Sequence, residues 1–387
     1  MRILLNATAE ELLQLGGDFT HYRDWQRLCL EGLDFCLVPS SVERRGSMLQ
    51  RKLLEKLCRN WQPTWLRRRL LLWSRLVWIA PKAAGQADLI FSHLLFPWAK
   101  RNGTPVVWNS QGISPPRYYD TYNPGQWKVE DVACVYRELG KRADALAILT
   151  NYCARNVVTW CPELEGKVYV VHAPVFVDAA EASQKPSLQD GVIRALFTGI
   201  DAERKGLPEV LEAYRSICER FDNVRLDVVS RPSPKLQNKI ATLKGVQLHI
   251  SSPRVDVRAL MRQSDVFLLP THADTYALAA VEALAHGCAV IVSDLEPLPE
   301  IIPEGEVGFN VPIGDTDILT QRFARLLEDR NLLRTLQGNA VRRFRRLHSP
   351  EVVAARLEEI FSQVLDRRAR QASLAGAPNS ASSRARS

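Results

Sequence analysis

Short apolar runs recur along this chain, with helix-length segments between them. They fall at 2–5, 35–38, 89–92, 106–108, 145–149 and 168–171, then at 192–198, 224–229, 246–250, 266–269, 289–293 and 308–311. The runs lack clean apolar–polar alternation. That pattern fits strands buried on both faces, as in a parallel sheet covered by helices. Repeated strand–helix–strand order then predicts an α/β fold with right-handed crossovers. The two series are separated by AAEASQKPSLQDG, residues 179–191, which is small and polar and contains Pro186 and Gly191, so it reads as a linker. The expected organisation is two doubly wound, Rossmann-like domains, 1–185 and 186–350, followed by an amphipathic helix at 351–366. A tail at 367–387 is expected to be disordered, because its last 17 residues hold five Ser and five Ala and cannot bury a core. A length of 387 residues agrees with two domains. In such sheets ligands bind beyond the carboxyl ends of the strands, so the loops after strands are where functional residues are sought.

Composition removes several classes. With 46% hydrophobic and 24% charged residues the chain is neither collagen-like, nor coiled coil, nor disordered as a whole. No 18-residue window is apolar and uncharged, so no spanning helix is expected. The N-terminal MRILLNATAEELLQL has too short an apolar stretch for a secretory signal. Eight cysteines are scattered without a C-x-x-C pair, which argues against structural zinc and for reduced thiols in the cytosol. The net charge of +8 is local. Residues 44–75 hold ten Lys or Arg against Glu55, a patch of +9, so the remainder carries −1. A single basic patch suits one anionic surface rather than nucleic acid.

Two loops in the second series carry chemistry. In FTGIDAERKGLPEVLEAY a strand ends at Thr198, Gly199 allows a tight turn, and Arg204 and Lys205 precede a helix opening at Leu207–Pro208. Cations beside a helix N-terminus suit phosphate, although alone they equally suit a solvated loop. In LLPTHADTYALAAVEALAHGCAVIVSD a strand ends at Leu269 and a helix is expected from about Tyr276 to His286, closed by Gly287. Asp274 lies just before it and Glu282 a little over two turns along. Glu282 is flanked by Ala and Leu residues, so its carboxylate needs a partner. A ribose diol is one, a nearby Arg another.

Together these residues resemble glycosyltransferase family 4, retaining enzymes of the GT-B fold (glycosyl transferases group 1). Gly199, Lys205 and Gly206 match its glycine and Lys-Gly pattern. Asp274 and Glu282 match its two carboxylates with seven residues between them, and Tyr276 and Ala277 its aromatic and following small residue. The resemblance implies that Lys205 holds the donor diphosphate, Asp274 the donor sugar's hydroxyls, and Glu282 the ribose. It places the helix start at Tyr276, Ala277 and Leu278 against the phosphates, and Val255 near the base. Three positions depart from the family. Ile200 stands where an Arg is usual, with Arg204 as its substitute. Asp274 replaces the commoner Glu, and Ala277 the usual Gly.

The first series matches more loosely. Gly16 and Gly17 correspond to the family's Gly-Gly loop, and His93 to its strand-end histidine. Gln111 stands where many members have a catalytic His. It can position a hydroxyl but cannot act as a base. The basic segment interleaves its cations with Trp61, Trp65, Trp73 and Trp78, groups Arg67, Arg68 and Arg69, and places Leu66, Leu70, Trp73 and Val77 at helical spacing. Trp and Arg on an amphipathic surface suit an anionic membrane; the alternative is that the Trp and Leu residues pack inside the domain.

The implied function is a retaining glycosyltransferase, with a nucleoside diphosphate sugar as donor and a glycan or lipid-linked acceptor, cytoplasmic and peripheral on the inner face of the membrane. No cofactor or metal is expected, Lys205 and Arg204 taking a metal's electrostatic part. The alternatives are another GT-B enzyme such as a sugar-nucleotide epimerase, or a non-catalytic GT-B protein that binds lipid or glycan.

Overall fold

A computed structural model describes residues 2–6, 27–28, 36–37, 76–78, 87–93, 96–98, 103–122, 128–177, 191–252 and 255–376. All twelve expected strands form, with ends moved by one or two residues. The first sheet is built from β1 (Arg2–Asn6), β2 (Cys36–Leu37), β4 (Leu89–His93), β6 (Val106–Ser110), β7 (Ala145–Ile148) and β8 (Val168–Val170). Its strand order is β2-β1-β4-β6-β7-β8. The second is built from β9 (Ile193–Gly199), β10 (Val224–Ser230), β11 (Val246–Ile250), β12 (Val266–Leu269), β13 (Ala289–Ser293) and β14 (Gly308–Val311), in the order β11-β10-β9-β12-β13-β14. Every pairing in both sheets is parallel. β6, β7, β12 and β13 are buried along their whole length, which is why they read as continuous apolar runs.

The sequence reading missed two strands. β3 (Leu76–Trp78) and β5 (Phe96–Trp98) pair in parallel outside the main sheets, with Val77 opposite Pro97. Val77 therefore does not continue the helical stripe expected from Leu66 through Trp73. Leu, Val and Trp in succession favour a pleated surface over a helix. Gly16, Gly17, Trp61, Trp65, Arg67, Arg68, Arg69, Trp73 and the linker position near 185 lie outside the described residues.

The C-terminal helix also departs from expectation. It runs from Pro350 to Gly376, ten residues past the expected end at 366, so the expected disordered tail is helical in its first part. The cause is tertiary. Arg367 donates to the carbonyl of Gly166 at 3.3 Å and to Tyr169 Oη at 2.9 Å, and Arg368 binds Asp144 at 2.6 Å. Phe361 packs edge-on against Phe91, with ring centres 5.5 Å apart. The helix thus leaves the second domain and docks on the first. The seam is closed further by the amide of Val175, which donates to the carbonyl of His348 at 3.1 Å. One hydrophobic cluster runs from Phe91 and Val107 through Phe197 and Leu284 to Phe361.

Candidate active site

The loop after β9 is shaped by two glycines. A methyl on Gly199 would lie 2.8 Å from both Cβ and Cγ of Lys205, so only glycine lets that stem cross the strand end. Gly206 has φ +84°, and a Cβ there would sit 2.2 Å from the carbonyl oxygen of Pro270. The loop turns tightly against the segment that follows β12. The helix Leu207–Cys218 then starts as expected, with Pro208 in its first turn.

These two loops are bonded together. Arg204 Nε donates to Asp201 at 2.9 Å and Nη1 to the carbonyl of Ala273 at 2.7 Å. The carbonyl of Arg204 accepts from the amide of His272 at 2.8 Å. Arg204 therefore lies beside Lys205 and braces the loop that carries Asp274, while Ile200 points outward and is 44% exposed.

Asp274 is the centre of the arrangement. One oxygen, Oδ1, accepts from the backbone amides of Thr275, Tyr276 and Ala277 at 2.8, 3.3 and 3.0 Å. The other, Oδ2, pairs with Lys205 Nζ. Burial alone would raise this carboxyl. The charge and hydrogen bond of Lys205, the Ala277 amide and Arg204 outweigh it and hold Asp274 below the usual carboxylate range. The shorter acid at this position is explained by the cap. An Asp side chain reaches amides one to three residues on, which is how N-cap residues serve a helix start.

The helix that follows is Leu278–Ala285, preceded by Ala277 at φ 52°. Ala277 is the single non-glycine with positive φ among the described residues. Glycine is the residue that adopts this conformation without strain, and an L-residue there costs about 1–2 kcal/mol. Gly287 closes the helix as expected, at φ 67°. Glu282, on the same helix, has Arg258 Nη2 3.7 Å away. Arg258 belongs to the helix Val257–Gln263, which begins two residues after Val255. Thus Glu282 finds an Arg partner, as one of the two readings required, and that Arg comes from the segment expected to face the base.

Tyr276 turns inward rather than toward a ligand. Its hydroxyl accepts from the amide of Ala173 at 3.0 Å and lies 3.1 Å from His348 Nδ1, both in the crossing between domains. Burial raises its phenol well above the ordinary value. His348 packs against His172, the rings tilted by 56° with centres 5.1 Å apart. Burial, with the charges of His172 and Arg343, pushes His348 well below the ordinary histidine value. Sequence reading did not anticipate this pair, since its members are far apart in the chain.

The carboxyl edges of the two sheets meet. Glu300 follows β13 and caps the helix Asn151–Trp160, which follows β7, accepting from the amides of Asn151 and Tyr152 at 2.7 and 2.9 Å. Gln111 lies at the end of β6 on the same edge and is half-buried. Its neighbours are held by Tyr136, whose hydroxyl bonds the Gly112 amide at 2.8 Å and Ser110 Oγ at 2.6 Å. His93 ends β4. Among the described residues no group of three or more His, Cys, Asp or Glu converges as metal ligands, and no helix is long and apolar enough to cross a membrane.

Comparison with known proteins follows this geometry. Residues 178–343 match the family described as glycosyl transferases group 1. The chain is 30% identical over 204 residues to a phosphatidyl-myo-inositol mannosyltransferase of Mycolicibacterium smegmatis, covering 50% of this chain and 52% of that protein. It is 24% identical over 179 residues to the capsular polysaccharide biosynthesis glycosyltransferase CapM of Staphylococcus aureus, covering 44% and 46%. The chain thus spans about half the length of the curated relatives it matches. Sucrose-phosphate synthase from Thermosynechococcus elongatus shares the fold at a TM-score of 0.65 and 16% identity, over 95% of this chain and 99% of that one. Residues 178–343 thus resemble the glycosyl transferases group 1 family, and the two parallel-sheet domains have the GT-B architecture.

Proposed function

We propose that this protein transfers a sugar from a nucleoside diphosphate sugar to a glycan or lipid-linked acceptor, with retention at the anomeric carbon. The observation that carries the reading is the divided carboxylate of Asp274. Its Oδ1 is fixed by three amides and its Oδ2 is shared with Lys205, at the carboxyl edge of the donor-side sheet. When donor enters, the diphosphate takes Lys205 and the sugar hydroxyls take the freed Oδ2. The carboxylate does not move, because its other oxygen remains capped. Arg204 and the N-terminus of the helix Leu278–Ala285 add positive potential where charge develops on the leaving diphosphate. Glu282 and Arg258 form the ribose end, and Val255 an apolar neighbour for the base.

Retention follows a front-face course. The bond from the anomeric carbon to the diphosphate oxygen breaks, and the acceptor hydroxyl forms its bond on the same face. The departing phosphate takes the acceptor's proton, so Gln111 has only to orient groups. The electrostatic work is given to side chains and a helix end rather than to a metal. Mannose is the sugar to test first, since the Mycolicibacterium relative is a mannosyltransferase by name, and that name also supports a lipid-linked acceptor. Peripheral binding to the inner face of the membrane belongs to the same proposal and rests on the basic, Trp-rich residues 44–78.

A thermal-shift screen with UDP, GDP, ADP, CDP and dTDP tests the reading. One diphosphate should stabilise the protein selectively, through linkage, and Glu282→Ala should weaken that effect. No shift with any of the five at millimolar concentration would overturn the proposal. Co-sedimentation with anionic vesicles at low salt tests the membrane part, and failure to pellet would remove it.

A further inference from the structure

A basic cavity lies at the amino ends of strands in the first sheet. About 330 Å3 in volume, it opens between Lys141, Arg142 and Asp144, Lys167, and one face of the C-terminal helix bearing Arg367, Arg368 and Gln371. Asp144 directly precedes β7 and Lys167 directly precedes β8. The cavity is therefore at the amino ends of these strands, whereas the donor cleft lies at the carboxyl ends. No part of the donor arrangement reaches it.

The charge is one-sided. Five cations line the cavity against a single carboxylate. That carboxylate is committed to structure: Asp144 accepts from the Val106 amide at 2.8 Å and from Arg368 at 2.6 Å. Several cations are held in place by neutral groups. Lys167 Nζ donates to the carbonyls of Ala143 and Lys141 at 2.9 and 3.2 Å. Arg367 donates to the Gly166 carbonyl and to Tyr169 Oη. Among the described residues Lys141 Nζ pairs with Glu163, 3.7 Å away at the surface. The side chain of Arg142 makes no hydrogen bond or ion pair among the described residues. For Arg367 the partners are a carbonyl and a phenol oxygen, which position the guanidinium and leave its charge in place, and a concave wall concentrates the field of the cations around it. The volume is within the small-molecule range of about 300–1,000 Å3 and exceeds what one phosphate fills.

We propose that this cavity binds an anion carrying two or more phosphate groups, and that the bound anion fastens the C-terminal helix to the first domain. Half of the wall belongs to each element, so a ligand there bridges the strap that joins the two domains. The chemistry is common to a free polyphosphate and to the headgroup of a multiply phosphorylated lipid. This inference is independent of the proposed sugar transfer.

The test uses the full chain and inorganic tripolyphosphate in isothermal titration calorimetry. Because a polyphosphate also meets Lys205, titrations are run on the Lys205→Gln variant as well. Binding that survives Lys205→Gln and weakens about tenfold or more in Lys141→Gln/Arg142→Gln is the expected result, because the variant removes two of the cations that would contact the anion. Both substituted side chains are exposed, so the fold should persist, and circular dichroism checks it. A second arm uses phosphatidylcholine vesicles with and without a phosphatidylinositol bisphosphate. Capture that depends on the bisphosphate and on Lys141 and Arg142 assigns the site to lipid; tripolyphosphate binding without such capture assigns it to a soluble anion. Equal tripolyphosphate affinity in the parent and Lys141→Gln/Arg142→Gln proteins, with no variant-dependent vesicle capture, would overturn the proposal.

Discussion

Replacing Gly206 with alanine isolates what the donor-side loop requires. Gly206 has φ +84° and faces the Pro270 carbonyl, whose oxygen would be 2.2 Å from the new Cβ. Gly314 has φ +76° with nothing within 4 Å of a Cβ, so it serves as a control with the same backbone demand and no contact. An L-residue at such φ costs about 1–2 kcal/mol. Alanine regains about 0.4–1 kcal/mol by restricting the unfolded chain. Gly314→Ala should therefore destabilise by about 1 kcal/mol. Gly206→Ala must also displace Pro270 or its own loop by roughly 1 Å in packed surroundings, which adds about 1–3 kcal/mol. Its total should be about 2–4 kcal/mol. The displacement pulls the Lys205 loop away from the Asp274 loop, so nucleoside diphosphate binding should fall in Gly206→Ala and not in Gly314→Ala. Urea denaturation and nucleotide titration of both variants measure the two effects. Equal stability losses, or unchanged nucleotide affinity in Gly206→Ala, would refute the argument that close approach to Pro270 sets the geometry of the site.

Tyr276→Phe leaves the buried Ala173 amide without its acceptor and should cost about 1–3 kcal/mol in urea denaturation. Glu300→Ala removes the acceptor of the Asn151 and Tyr152 amides at the start of the Asn151–Trp160 helix, leaving the Thr150 cap in place, and should lower stability by about 1 kcal/mol, with Glu300→Gln intermediate. Stability should also fall as pH drops. Burial lowers the values of His172 and His348, so below about 6.5 the unfolded chain binds protons that the folded protein refuses. Each histidine then contributes up to about 1.4 kcal/mol per pH unit, and His348→Asn should flatten the urea-midpoint profile between about pH 6.5 and 5. Asp274 acts in the same direction at lower pH. Its lowered carboxyl stabilises the fold above about pH 4 and loses that contribution only as pH falls further through its folded value.

The architecture was legible because of where the strands lie. A segment such as Val266–Leu269 is covered on both faces, so each of its residues must be apolar, and the run shows in any reading of the chain. The loops around Lys205 and Asp274 were legible for a related reason. In doubly wound sheets ligands bind after strands, and these loops lie there with glycines whose roles are steric, Glu282 following on the helix Leu278–Ala285. The C-terminal helix was legible only in part. Its first turns carry an apolar stripe, but residues near Arg367 are helical because Gly166, Tyr169 and Asp144 wait for them in the other domain. Val77 went the other way, drawn into a strand by a partner at Pro97.

Local order thus determined the strands, the two-sheet plan and the placing of the loops around Lys205 and Asp274 after strands, since these follow from burial and turn chemistry within a few residues. The tertiary structure decided which partner each polar group takes. Glu282 meets Arg258, Tyr276 meets Ala173 and His348, Glu300 caps a helix across the domain seam, and five cations gather around one cavity. These groups lie far apart in the chain. Tertiary packing brings them together, within one domain for Glu282 and Arg258 and across the domain seam for the others, and no sequence periodicity encodes that approach.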